Sequence, residues 1–306
     1  MATAKAPSKK TASSATWTWP TNAKVALSVV VNVEEGSEYS IGDGDKITEP
    51  VDELGVSLKK PIRNYGNESN YRYGILEGHT RVAALLDKYK VAATYTAAAL
   101  ALERAPDIAD YIKARKHETC CHGYRWVHQF SFDEAREREF IKNGLDSIEK
   151  STGVRPQGWL SRYLHTKNTR RLLQEAGCLY HMDDYSRDTP FWGDVENAAA
   201  GSKKKMIIVP YQLDTNDMKM WLAPSYMPSQ WLEYAVDTLD QMHKEATSKT
   251  RATPIMMSLG LHLRIIGRPG RIGYLDKFLK YASQKPGVLF ARRIDIAKHF
   301  AANVKP

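Results

Sequence analysis

Apolar residues fall along this chain in two rhythms: short unbroken hydrophobic runs, and longer stretches in which they recur every three or four positions. The runs predict strands covered on both faces and the longer stretches amphipathic helices. Strands are expected at 24–33, 91–96, around Cys120-Cys121-His122, in a short piece before Arg162, and at 178–180, 206–210, 255–261 and 287–291. Helices are expected at 80–90, where Val82, Leu85, Leu86 and Tyr89 share a face, and at 97–104 and 107–115. A capping-box pattern, Ser131-Phe132-Asp133-Glu134, opens another that runs to about 150. Further helices follow at 168–176, 228–247, 272–284 and 294–301. Strand then helix, repeated seven or eight times without an internal sequence repeat, predicts an α/β fold, a distorted (β/α) barrel whose site gathers at one rim.

One segment breaks the rhythm. Residues 37–78 show little periodicity and contain the polar-aromatic run Arg63-Asn64-Tyr65-Gly66-Asn67-Glu68-Ser69-Asn70-Tyr71-Arg72-Tyr73-Gly74. An insertion of this length in a compact domain is usually functional or disordered, and the aromatic and arginine side chains amid glycines suggest a wall of a binding site. Tyr65, Glu68, Tyr71 and Arg72 are therefore candidates for a substrate-binding wall.

Composition narrows the class. With 306 residues, 42% hydrophobic and 26% charged, the chain is long enough for a sizeable core, expected as a single domain over 17–306 behind a disordered tail, 1–16. The net charge of +9 is concentrated in that tail and in Lys203-Lys204-Lys205, so a solvated surface is favoured over a nucleic-acid partner. No run approaches the ~18 apolar residues of a membrane span. Three cysteines, two of them adjacent, make no disulfide framework and suit a reducing compartment. The tail has no hydrophobic segment of the secretory kind, which points to the cytoplasm and leaves organelle targeting and unconventional export open.

The chemistry collects where strands end. Glu34-Glu35 follow the first apolar run, His122 the third, Arg162 the fourth, Asp183-Asp184 the fifth, Asp214 the sixth and His262 the seventh. Each alone reads equally as a solvated loop or a hydrogen-bonded core residue. Gathered at one rim, carboxylates and imidazoles are the equipment for activating a water and protonating a leaving group. No nucleophile elbow, phosphate loop, dinucleotide glycine pattern or Cys-x-x-Cys pair accompanies them, so hydrolysis is the reaction class reached from the residues.

Several motifs, taken in order over roughly residues 20–300, resemble the polysaccharide deacetylase (NodB-homology) superfamily, and more closely its metal-independent PuuE-type allantoinase and fungal deacetylase-like branch. They are Asn32-Val33-Glu34-Glu35-Gly36, Cys120-Cys121-His122-Gly123-Tyr124-Arg125-Trp126, Asn168-Thr169-Arg170-Arg171-Leu172-Leu173, Leu213-Asp214-Thr215-Asn216-Asp217, and the closing Gly260-Leu261-His262-Leu263-Arg264-Ile265-Ile266-Gly267-Arg268-Pro269-Gly270-Arg271. The resemblance implies a catalytic base and a metal ligand after the first strand, places held here by Glu34 and Glu35. It also implies two zinc-binding histidines four residues apart, where His122 is followed by Trp126, and a tryptophan does not ligate zinc. No cofactor is therefore expected; zinc, if bound, would rest on Glu35 and His122.

Without the metal, Glu34 or Glu35 takes the water's proton, Arg162 or a backbone N–H holds the oxyanion, and His262 protonates the departing nitrogen. His122 then orients the water or carbonyl, while Trp126, Asp183, Asp184 and Asp214 steady the histidines or bind substrate. The resemblance implies a small-molecule or oligosaccharide substrate and leaves a homo-oligomer open. Ring opening of a cyclic ureide or imide is the first expectation, N-deacetylation of chitin oligomers the alternative, and a catalytically silent carbohydrate-binding barrel the third.

Overall fold

The first strand, β1 (Val25–Val33), is buried at all nine positions, as a run with Ser28 and Asn32 as its two polar residues predicts. It sits near the middle of one sheet in a computed structural model that describes residues 17–55, 60–198, 201, 203–223, 225–248 and 254–306. The expected tail, 1–16, lies outside the described residues.

Helix α1 (Tyr65–Tyr73) passes through one π turn, Gly74–Gly78, into α2 (His79–Tyr89). Then come β2 (Thr94–Ala97), α3 (Ala99–Arg104), α4 (Pro106–Arg115), β3 (Glu118–Cys121) and α5 (Glu134–Thr152). Next are β4 (Gly158–Trp159), α6 (Thr169–Glu175), β5 (Tyr180–His181), β6 (Phe191–Asp194) and β7 (Lys205–Ile208). The chain closes with α7 (Pro228–Thr247), β8 (Ile255–His262), α8 (Leu263–Ile266), α9 (Pro269–Gln284), β9 (Val288–Phe290) and α10 (Arg293–Asn303).

The sheet order is β6-β7-β5-β4-β3-β2-β1-β8, with β9 also paired to β1; all pairs are parallel except β6 with β7. Among the described residues β6 and β8 do not pair, so the α/β domain expected as a distorted (β/α) barrel has a curled, open half-barrel sheet. The cause is local. Among the described residues no helix separates β5 from β7; β6 instead folds back antiparallel on β7 and is the last strand on that side of the sheet.

An open edge leaves backbone groups to satisfy. Along β8 other segments stand in for the missing strand. Asp188 O accepts from Met256 N at 2.8 Å, the Gln212 amide donates to Met256 O at 3.0 Å and its oxygen accepts from Ser258 N, and the Thr215 hydroxyl donates to Ser258 O.

Two packing layers result from strand alternation. Ala26, Val30, Cys120, Leu160, Tyr180, Met182, Val209 and Met256 form the inner cluster, while Leu27, Val31, Val33, Cys121, Trp159 and Leu261 face the helices. Register then levels the strand ends: Asn32 lies beside both Thr96 and His262, and Thr96 beside Cys120.

Two local readings are corrected. The stretch 65–78 is helical, with Asn67 and Tyr71 as the buried side chains of α1, and so polar a helix shows no apolar period. The cap of α5 is Asp133, whose side chain accepts from Arg136 N, and not Ser131.

Gly78 and Gly267 let the π turn and α8 meet backbone to backbone. A Cβ on Gly78 would lie 2.2 Å from Leu263 O, and one on Gly267 2.4 Å from Gly78 Cα. Gly78→Ala should therefore destabilise the fold by about 1–3 kcal/mol, seen as a lower urea midpoint at unchanged slope. Because α8 carries Arg264, turnover should fall with it.

Candidate active site

Alternation decides which of the two adjacent glutamates enters the half-barrel. Val33 packs outward, so Asn32 and Glu34 point inward and Glu35 outward. The same parity sends His122 inward after Cys121, and His262 inward after Leu261. Three side chains from β1, β3 and β8 thereby meet.

Glu34 Oε1 lies 3.4 Å from His122 Nε2 and 3.5 Å from His262 Nε2, while Arg264 Nη1 donates to Glu34 Oε2 at 3.0 Å. All four are nearly sealed, with Glu34 2% exposed, His122 5%, His262 7% and Arg264 1%. Burial by itself would raise the Glu34 carboxyl, but His262, His122 and Arg264 outweigh it and hold the group well below the usual range. Burial would likewise lower His262; the Glu34 and Asp217 carboxylates overcome it and raise the imidazole to about 10. Asp217 grips His262 twice, accepting from Nδ1 at 2.6 Å and from the backbone N at 2.7 Å. The site thus holds an ionised carboxylate against a protonated imidazole.

His122 is fixed differently. Its Nδ1 faces Leu160 O at 2.7 Å, which assigns the proton to Nδ1, and its Nε2 accepts the Trp126 indole N–H at 3.1 Å. The indole nitrogen therefore occupies the lone pair a metal would need. Zinc does not fit this donor set: Trp126 stands where a second histidine is required, and Glu35 faces away, its oxygens accepting from Glu34 N at 3.1 Å and Arg264 N at 3.2 Å. Among the described residues no three His, Cys, Asp or Glu side chains gather to hold an ion. The fallback ligand pair Glu35–His122 is not assembled; burial raises Glu35 to about 7, with Arg264 opposing and Glu34 adding to the rise.

Other candidates fall elsewhere. Arg162 commits both Nη atoms, donating to Glu49 and, at 2.8 Å, to Trp126 O, and stacks 3.7 Å from the Trp126 ring. It walls the site and does not present a free fork to an oxyanion. Tyr71 reaches the centre, under the Arg264 guanidinium at 4.2 Å, whereas Tyr65 is 67% exposed under Arg63, Glu68 pairs with Arg63, and Arg72 points to solvent. Asp183 lies on the outer face, accepting from Ser161 N at 2.8 Å beside His181. Asp184 faces Arg170 at 3.6 Å, and Asp214 is exposed, accepting from Tyr234.

Sequence reasoning passed over Asp217, Arg264 and Tyr211, whose hydroxyl accepts from Asn32 at 3.1 Å. The signal existed for two of them: Asp217 is the second aspartate of the Asp214 run, and Arg264 lies two residues past His262.

Residues 71–181 match the polysaccharide deacetylase family model. A putative polysaccharide deacetylase of Schizosaccharomyces pombe is 33% identical over 299 residues, 93% of this chain and 92% of that protein. Among solved structures, PuuE allantoinase is 39% identical with a TM-score of 0.85, over 93% of this chain and 92% of that one. A probable polysaccharide deacetylase from Pseudomonas aeruginosa PAO1 is 37% identical with a TM-score of 0.84, over 93% of each chain. The resemblance read from the motifs holds along the length of the chain, and the protein belongs to the polysaccharide deacetylase family.

Proposed function

We propose that this protein is a hydrolase of non-peptide carbon–nitrogen bonds that activates water with Glu34 and protonates the leaving nitrogen with His262. The observation that carries the reading is one carboxylate oxygen set 3.4 and 3.5 Å from two imidazoles, one of them held charged by Asp217. Glu34 takes a proton as water attacks the amide carbon, and the C–N bond breaks as His262 gives its Nε2 proton to the nitrogen. The Glu34–His262 contact then returns the water's proton to His262, leaving a carboxylic acid and an amine. A developing oxyanion meets two buried positive charges, His262 and Arg264. Trp126 orients His122, which packs beside the Glu34 oxygen.

For the substrate, the weight of the relatives' descriptions favours removal of an N-acetyl group. The family model, the fission-yeast relative and the Pseudomonas structure are all described as polysaccharide deacetylases. Ring opening of a cyclic ureide or imide is the second reading, favoured by the likeness to PuuE allantoinase. Chitin oligomers, allantoin and cyclic imides assayed side by side, each with and without chelator, separate the two. Acetate release from the oligomers carries the first and ureide consumption the second. Turnover should survive chelation, and strict zinc dependence would overturn the assigned mechanism.

Glu34→Gln should lower kcat by about a hundredfold or more, with Glu35→Gln costing far less; equal losses would return the base to the undecided pair. Activity should hold from above the depressed Glu34 range up to about 10, where His262 loses its proton. Asp217→Asn removes one of the two charges that raise His262, so the alkaline limb of the pH–rate profile should move to lower pH.

A further inference from the structure

A cavity of about 510 Å³ opens on the far side of Arg264 from Glu34, lined by Arg264, Arg268, Arg271, Glu53, Trp221 and Tyr226 among others. Three guanidiniums share it with one carboxylate. Glu53 takes Arg264 Nε at 2.7 Å and is held by Asn70. Arg268 stacks on Tyr73 at 3.6 Å and donates to Asn70 and to Arg264 O, and Arg271 donates to Ile265 O at 3.2 Å. Among the described residues neither of these two pairs with a carboxylate.

The cavity also borders the first turn of α9, 16 residues long, whose cap is Arg268. No side chain caps this helix and no acid stands in its first turn. Two arginines at the positive end of a helix repel it and each other, an arrangement that an anion relieves. A second observation points to the same ligand. Arg264 is 1% exposed, and its Nη2 has no hydrogen-bond partner among the described residues. In a guanidinium Nη2 shares an edge with Nε, so one of its N–H bonds runs beside the Nε–H that meets Glu53, a cavity residue.

We propose that this cavity is a carboxylate-binding subsite, in which Arg264 Nη2, Arg268 and Arg271 hold an acid group next to the reacting centre. A carboxylate suits these donors because its two oxygens match the parallel N–H bonds of a guanidinium, and Arg268 and Arg271 offer such bonds without a carboxylate partner among the described residues. The aromatic walls, Trp221 and Tyr226, suit the body of a small organic acid. Amide hydrolysis at Glu34 makes a carboxylate, so the acid is either the product or a group the substrate brings. Its origin rests on the hydrolase reading; the subsite does not.

The test is binding of acetate and malonate to the full chain by calorimetry at constant ionic strength set with chloride, comparing wild type with Arg271→Gln and Arg268→Gln. Wild type should bind at least one acid, and each variant should weaken it about tenfold, with thermal melts reporting that the variants are folded. Equal affinity in all three, or binding that follows ionic strength alone, overturns the subsite. Kinetics separate the origins. For a substrate-borne acid, Arg271→Gln raises KM for an acid-bearing amide but not for its uncharged analogue; for a product acid, the inhibition constant of acetate rises instead. Binding lost in the variants of a protein that turns over no amide sinks the hydrolase reading and leaves the subsite standing.

Discussion

A carboxylate buried to 2% exposure at the end of a central strand sets the terms for everything around it. Taking such a charge out of water costs several kcal/mol unless partners compensate. Here the compensation is a row of alternating charges: Asp217 to His262 at 2.6 Å, His262 to Glu34 at 3.5 Å, Glu34 to Arg264 at 3.0 Å, Arg264 to Glu53 at 2.7 Å. Each member is the counter-ion of its neighbours, which keeps His262 protonated and Glu34 ionised at neutral pH. Glu35, 3.8 Å from the same arginine but second in line for its charge, stays poised near 7.

The indole of Trp126 reshapes this row. A histidine in its place would offer a lone pair; the indole offers an N–H, and with His122 Nδ1 turned to Leu160 that N–H meets Nε2. The positive charge a metal supplies elsewhere must then come from side chains, and Arg264 and His262 are the cations within reach of Glu34. Trp126 is itself clamped, packed under the Arg162 guanidinium that Glu49 holds from the long segment after β1. The exchange of one residue is thus supported from two distant stretches of chain.

How much of this the sequence disclosed follows from what periodicity encodes. Strands and apolar-faced helices were legible because a short continuous apolar run differs from a 3.6-residue period. The antiparallel β6 and the polar helix α1 carry neither signal, and the distorted barrel rests on a count of units that β6 interrupts. At the site, Glu34, His122 and His262 were legible as strand-end residues, but the choice between Glu34 and Glu35 was not. A strand apolar on both faces conceals which face is inner. The same ambiguity put Asp183 in the site, although Met182 is the one turned inward, and Asp214 there in place of Asp217, which opens the 3-10 turn Asp217–Met220.

The openness of the sheet and the charge row are one feature seen twice. In a closed barrel the free edge of β8 would pair with a neighbouring strand, and His262 N would belong to that ladder. Because the ring stops at β6, the segment after β7 runs along the edge and satisfies it with side chains: Gln212 at Met256 and Ser258, Thr215 at Ser258 O, and Asp217 at His262 N. The last of these spends one carboxylate oxygen on the edge and so aims the other at His262 Nδ1. The residue that seals the strand end is therefore the one that charges the imidazole, and the gap in the sheet is what gives it a place to stand.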